Sequence, residues 1–257
     1  MDGYILCATP RSGSTFLCDL LTATGVAGAP DSYFMDNLDP AWAAAWGLPD
    51  RAGLSDRAYA AAHLRAAVAA GRAGGAVFGL RLMGRNRAEL MALIEAAHPG
   101  QPTDRARIEA AFGRVFWIHL SRADRLAQAV SLVRAEQTGL WHVAPDGTEV
   151  ERLSPPAPPV YDFERIAARH AALAAEEAGW QEWFAAEAIT PLRIDYDTLA
   201  ADPAAQTARI LQALGLPRAS ATRLTPGLAR MSDALSQDWN ARFRADAARR
   251  GSELPTR

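Results

Sequence analysis

The stretch Tyr4-Ile5-Leu6-Cys7-Ala8-Thr9-Pro10-Arg11-Ser12-Gly13-Ser14-Thr15-Phe16-Leu17 decides the fold. It opens on a continuous apolar run, Tyr4 to Ala8, too short for a helix and suited to a buried strand. Thr9 to Gly13 breaks the run with a Pro and a Gly. From Ser14 onward, Phe16, Leu17, Leu20 and Leu21 fall on one helical face. In a strand, small-residue loop and helix of this kind, the loop N–H groups and the helix N-terminus converge on an anion. The same residue types also make an ordinary tight turn, so the reading depends on what else the chain carries.

The loop is not a Walker loop. The pattern G-x-x-x-x-G-K-[ST] needs a Lys before its last hydroxyl residue. Ser14 stands there, and the chain contains no Lys: all 27 of its basic residues are Arg. The cation offered by the loop is Arg11. The chain's 257 residues suffice for one large α/β domain, and residues 1–257 are expected to form a single one. A net charge of −2 lacks the basic excess of a dedicated nucleic-acid binder, so no nucleic-acid partner is expected. No apolar run reaches the ~18 residues of a membrane span. The N-terminus enters a strand directly, with no charged region, long apolar core and cleavage site before it. A cytoplasmic protein is the expectation. Cys7 and Cys18 read as small buried hydrophobes. No His, Cys or carboxylate cluster has metal-ligand spacing, so no metal is implied.

Beyond the first helix, Val26 to Pro49 is irregular, with a short helical turn at Ala41–Trp46. Ser55-Asp56 caps an Ala-rich helix that runs to about Gly71. Ala76 to Met83 reads as a second strand, and Arg87 to Ala97 and Asp104 to Phe112 as helices. Arg114 to Leu120 is a third strand, apolar on both faces as in a covered parallel sheet. Asp124 to Thr138 is helical. Residues 139–160, with Pro145-Asp146-Gly147 and the Pro-rich run to Pro159, form a loop or short hairpin. Asp162 to Glu187 is the longest helix and Pro191 to Tyr196 a fourth strand. Asp197-Thr198-Leu199 starts a turn, and helices follow at Pro203–Leu214 and Asp238–Arg250. Strands alternating with helices imply an α/β fold with a central parallel sheet covered by helices on both faces.

Four stretches in one order resemble the sulfotransferases that use 3′-phosphoadenosine-5′-phosphosulfate (PAPS). Pro10-Arg11-Ser12-Gly13-Ser14-Thr15 is similar to their 5′-phosphosulfate loop, P-x-[KR]-S-G-[ST]-[ST], one residue shorter here. Ser121-Arg122 and the later Ser131 resemble the Arg at a strand end and the Ser two helical turns on that hold the 3′-phosphate. A guanidinium fork and a hydroxyl suit that dianion. Arg193 to Leu199 is similar to the strand end whose Tyr, here Tyr196, lies near adenine. Gln237 to Phe243 resembles a segment preceded by basic residues that reach the 3′-phosphate, which makes Arg230 a candidate.

Within that group the chain most resembles the small bacterial carbohydrate sulfotransferases typified by trehalose 2-sulfotransferase. The shared runs are Arg11–Leu17, Ala23–Pro30, Gly79–Met83, Gln128–Thr138, Glu176–Phe184 and Ser236–Phe243. The likeness spans about Tyr4 to Gly251. It implies a P-loop-like sulfotransferase fold, PAPS as cofactor and PAP (the 3′,5′-bisphosphate) as product. Arg11, Ser12, Gly13, Ser14 and Thr15 would hold the 5′ end, with Arg11 catalytic. Arg81, on the second strand, is a candidate to face the sulfuryl group or the acceptor. A homodimer is a possible assembly.

The chain departs from this family at its acceptor loop. Where the family has G-E-P-x-E-[FY]-F, this sequence has Gly28-Ala29-Pro30-Asp31-Ser32-Tyr33-Phe34. Ser32 thus replaces the residue that acts as base on the acceptor hydroxyl, and Ala29 one that helps bind the sugar. Asp31 is the nearest carboxylate, with Asp36 and Asp39 behind it. Neighbours in an extended loop point opposite ways, so Asp31 would need a local twist of the Pro30 loop to reach the acceptor. Asp31 and Tyr33 are candidate substrate contacts, and Trp42, Trp46 and Trp141 candidate sugar platforms. His119, near the loop, is expected to pack structurally. The expected function is sulfuryl transfer from PAPS to a hydroxyl of a carbohydrate or glycolipid, with the acceptor open. Two alternatives stand: a non-catalytic nucleotide- or glycan-binding relative that has lost its base, and a P-loop kinase, which would need the missing Lys.

Overall fold

The computed structural model describes residues 1–35, 40–221, 224, 227 and 233–251. The chain runs β1 (Gly3–Ala8), α1 (Ser14–Ala23), α2 (Pro40–Ala45), α3 (Asp56–Arg72), β2 (Phe78–Met83), a 3-10 turn (Gly84–Asn86), α4 (Arg87–Ala97) and α5 (Asp104–Phe112). It continues with β3 (Val115–Ser121), α6 (Arg125–Thr138), β4 (Leu140–Val143), β5 (Glu149–Arg152), α7 (Phe163–Ala186), β6 (Leu192–Asp195), α8 (Tyr196–Ala201), α9 (Pro203–Ala213) and α10 (Ala234–Arg249).

β1, β2, β3 and β6 form a parallel sheet in the order β2-β1-β3-β6. Every residue of β1 is buried, as its unbroken apolar run requires. Successive side chains on a strand point to opposite faces, and the core divides accordingly. Ile5 and Cys7 join Phe78, Trp117, Trp180 and Phe184 on one face; Tyr4, Leu6 and Ala8 join Leu17, Leu20, Ile118 and Ile194 on the other. Helices α3, α4, α5 and α7 cover the first face, and α1 and α9 the second. A third cluster, with Val130, Leu173, Trp239 and Phe243, binds α6, α7 and α10 together. Cys7 and Cys18 are both free and buried.

Seven of the described helices begin on side chains that accept N–H groups of their first turn: Ser55, Thr103, Asp124, Asp162, Asp195, Asp202 and Asp233. Each such cap contributes about 1 kcal/mol. Two boundaries differ from expectation for this reason. Asp195 caps α8 through the N–H groups of Asp197 and Thr198, so Tyr196 opens a helix where a strand was expected to end. Asp233 starts α10 about a turn ahead of Asp238, because it caps through Ser236 N–H. β4 and β5 pair antiparallel as a hairpin separate from the main sheet. No described helix is long and apolar enough to cross a membrane.

Candidate active site

The chain steps from β1 to β2 on one side, then crosses to place β3 on the other side of β1. A reversal of this kind opens a crevice beyond the carboxyl ends of the strands. Thr9–Gly13 leaves β1 there, Arg122 follows β3, Tyr196 follows β6, and Arg81 lies near the end of β2. Residues far apart in sequence therefore share one edge of the sheet.

The loop after β1 is strained and held from several sides. Arg11 adopts φ 60, a left-handed conformation that costs a side-chain-bearing residue about 1–2 kcal/mol. Buried Gln128 of α6 donates through Nε2 to Thr9 Oγ1 at 2.8 Å and to the Pro10 carbonyl at 2.6 Å. Trp180 of α7 donates through Nε1 to the Ala8 carbonyl at 3.0 Å. Arg122 Nη1 donates to the Arg11 carbonyl at 3.2 Å. Gly13 follows at φ 90, and a Cβ there would lie 2.5 Å from the Tyr196 ring, so the aromatic ring seats directly on the glycine.

What this loop presents fits an anion. Gly13 caps α1 without a side-chain hydrogen bond, so the helix N-terminus lacks the internal acceptor that seven other helices have. Ser12 is wholly buried, and its Oγ has no hydrogen-bond partner among the described residues. The cations are close by. Arg11 Nε donates to Ser131 Oγ at 2.9 Å and its Nη1 to the Trp141 carbonyl at 2.6 Å. The Arg122 guanidinium carbon sits 4.5 Å from the centre of the Tyr196 ring. Burial, and then the neighbouring Arg122 charge, push the Arg11 guanidinium down to about 10. It stays charged at neutral pH, and a phosphate or sulfate beside it would offset both effects.

Arg81 joins this loop to the Pro30 loop. Its Nη1 donates to Thr15 Oγ1 at 2.6 Å, its Nε to Ser32 Oγ at 2.9 Å and its Nη2 to Asp31 Oδ1 at 2.9 Å. The Pro30 loop lies alongside β2: Asp31 bridges Leu80, and Arg81 N–H donates to the Asp31 carbonyl at 3.0 Å. The expectation that Asp31 and Ser32 point apart does not hold. Asp31 Oδ1 curls back to accept the Ser32 N–H at 2.7 Å, and both side chains meet the one guanidinium.

Other candidates fall away from this centre. Tyr33, expected as a substrate contact, is instead buried in the core, with its hydroxyl donating to the Ala29 carbonyl at 2.5 Å. Its ring packs edge-on to Trp46 at 4.8 Å, which makes that pair part of the packing. Trp141 is the exception: it packs on the α6–α7–α10 cluster while its carbonyl stays at the centre on Arg11 Nη1. His119 is buried against Phe184 and Glu177. Arg230, Asp36 and Asp39 lie outside the described residues.

Sequence reasoning passed over four residues that the structure brings to the site. Gln128 and Trp180 sit within runs already noted for their resemblance, but nothing in spacing says that both reach the β1 loop. The other two are His142 and Glu151 of the hairpin, with His142 Nε2 3.4 Å from Glu151 Oε2. Burial first, then Arg11 and Arg81, lower His142 to about 3. Burial raises Glu151. The Pro145-Asp146-Gly147 turn is a hairpin signal, yet it does not say where the hairpin lands.

An uncapped helix behind a strained loop, flanked by paired guanidiniums at a sheet crossover, gives this α/β protein a site whose chemistry fits a phosphate-like group. Sequence comparison makes the class specific. The chain belongs to the Stf0 sulphotransferase family, whose sequence model matches residues 3–246. It is 34% identical to a protein of Mycobacterium tuberculosis named trehalose 2-sulfotransferase, over 98% of this chain and 97% of that one. It is 32% identical to the Mycolicibacterium smegmatis protein of the same name, again over 98% and 97%. A solved sulfotransferase from Alicyclobacillus acidocaldarius covers 99% of this chain and 98% of its own, at a TM-score of 0.40 and 15% identity, which is too remote to bear on the site.

Proposed function

We propose that the protein transfers a sulfuryl group from PAPS to a hydroxyl of a carbohydrate or glycolipid. The observation that carries this reading is the meeting of Arg11, the unpartnered Ser12 hydroxyl and the uncapped N-terminus of α1 within reach of Arg122 and Ser131. In this reading Ser12, Gly13, Ser14 and Thr15 cradle the 5′-phosphosulfate, and Arg11 faces the charge that grows on the bridging oxygen. Arg122 and Ser131 take the 3′-phosphate, and Tyr196 backs the adenine. Arg81 holds the acceptor loop against the 5′ loop. Bound PAPS supplies an activated sulfuryl group, and the chain's part is positioning and charge stabilisation, as in phosphoryl transfer. The relatives named trehalose 2-sulfotransferase support a sugar acceptor. Cytoplasmic location and a homodimer are expectations that go with this reading.

Titration calorimetry with PAP and with ATP tests the donor. The reading expects PAP to bind, and ATP, which lacks a 3′-phosphate, to bind at least about tenfold more weakly, roughly one charge-assisted contact. Preference for ATP would turn the assignment toward a kinase.

A further inference from the structure

The replacement of the family's Glu by Ser32 leaves open what accepts the acceptor's proton. Ser32 offers no base: its hydroxyl accepts from Arg81 Nε at 2.9 Å. Asp31 Oδ1 already takes both Arg81 Nη2 and the Ser32 N–H. The β4–β5 hairpin brings another group. Its Trp141 carbonyl accepts Arg11 Nη1 at 2.6 Å, and the Trp141 ring centre is 6.0 Å from the Arg11 guanidinium carbon. The hairpin is thereby moored on the 5′ loop. His142 comes next and pairs across the hairpin with Glu151. Their side chains are 19% and 34% exposed, largely buried yet reachable from solvent.

The charges that face this pair come from three elements. Arg11 of the loop and Arg81 of β2 act on His142, and Arg81, Asp31 of the Pro30 loop and Arg11 act on Glu151. The Arg11–Trp141 hydrogen bond and the pairing of His142 with Glu151 set this dyad beside the 5′ loop, the neighbourhood a hydroxyl must enter to attack in line. Glu151 beside Nε2 favours the tautomer with its proton there, which leaves the Nδ1 lone pair to act.

We propose that His142, oriented by Glu151, is the general base for the acceptor hydroxyl. This rests on the sulfotransferase reading above. The hydroxyl proton passes to His142 Nδ1 as the acceptor oxygen bonds to sulfur. The bond from sulfur to the 5′-phosphate oxygen breaks, and its electron pair leaves with PAP. Burial and the two guanidiniums keep His142 neutral, the form a base needs. An anionic donor between Arg11 and Arg81 offsets their charge and raises the proton affinity of the imidazole when it is required.

The test compares wild type with His142→Asn, Glu151→Gln and Asp31→Asn for sulfate transfer to a sugar panel, each with PAP affinity measured by calorimetry. His142→Asn is expected to lose about 10²–10⁴-fold in kcat, the usual range for a general base, with PAP affinity within about threefold and the acid limb of the kcat–pH profile abolished. Glu151→Gln moves that limb, and added imidazole restores rate to His142→Ala. PAP binding by the variants excludes misfolding as the cause. Near-wild-type kcat in His142→Asn, or the whole loss appearing in Asp31→Asn instead, overturns the base assignment alone. A wild type that binds PAP and sulfates nothing overturns the functional reading, and this inference with it.

Discussion

On the proposed reading, donor recognition turns on Arg122. Its guanidinium is clamped between the Tyr196 ring and the Arg11 carbonyl, so it is oriented before any ligand arrives. One charge-assisted phosphate contact contributes about 1.5–3 kcal/mol. Arg122→Ala should therefore weaken PAP by about one to two decades and leave adenosine 5′-phosphosulfate, which has no 3′-phosphate, nearly unchanged. Equal losses for both ligands, measured by calorimetry, would remove Arg122 from the 3′ site. At this scale the sequence is partly readable. Arg11, Ser131, Arg122 and Tyr196 follow from motif resemblance and do converge in space. Tyr33 does not reach the site, because strand-like spacing cannot tell which side of a loop packs on the core. The company of Asp31 and Ser32 on Arg81 was equally hidden, since it depends on Asp31 bending onto its own neighbour's N–H.

Among the elements, α6 does most to shape the 5′ loop, and Gln128 is its lever. Gln128 is 2% exposed and fills two acceptors of the loop, Thr9 Oγ1 and the Pro10 carbonyl. Gln128→Leu keeps the volume and leaves both acceptors without that donor, each at a cost of about 1–3 kcal/mol when buried. Thermal unfolding should drop by several degrees, at roughly 2–4 °C per kcal/mol for a chain of this size, and PAP affinity should fall with it. An unchanged melting temperature together with unchanged PAP affinity would mean that the loop holds its left-handed Arg11 without α6. Element type and order are legible from periodicity: the apolar runs of β1 and β3 and the Ser55 cap announce themselves. Tyr196 shows the limit. Its aromatic ring suits a strand end, but the preceding Asp195 caps a helix, and local hydrogen bonding decided between them.

For the whole molecule, the order β2-β1-β3-β6 is what makes a site from scattered motifs. Alternating strands and helices imply a parallel sheet, but not which strand lies in the middle. Once β1 is central, its loop lies between the ends of β2 and β3, and Arg81 and Arg122 flank it. The hairpin's landing place over Arg11 is likewise a matter of tertiary packing, so His142 and Glu151 had no signature in the sequence. The central claim is sulfuryl transfer itself, and the most direct measurement follows radiolabelled sulfate from PAPS onto a panel of sugars and glycolipids. The account predicts label on at least one hydroxyl-bearing acceptor, with PAP released in equal amount and transfer lost in Arg11→Ala. PAP binding with no label on any acceptor, and no PAP released, would contradict it and leave a binding protein in place of an enzyme.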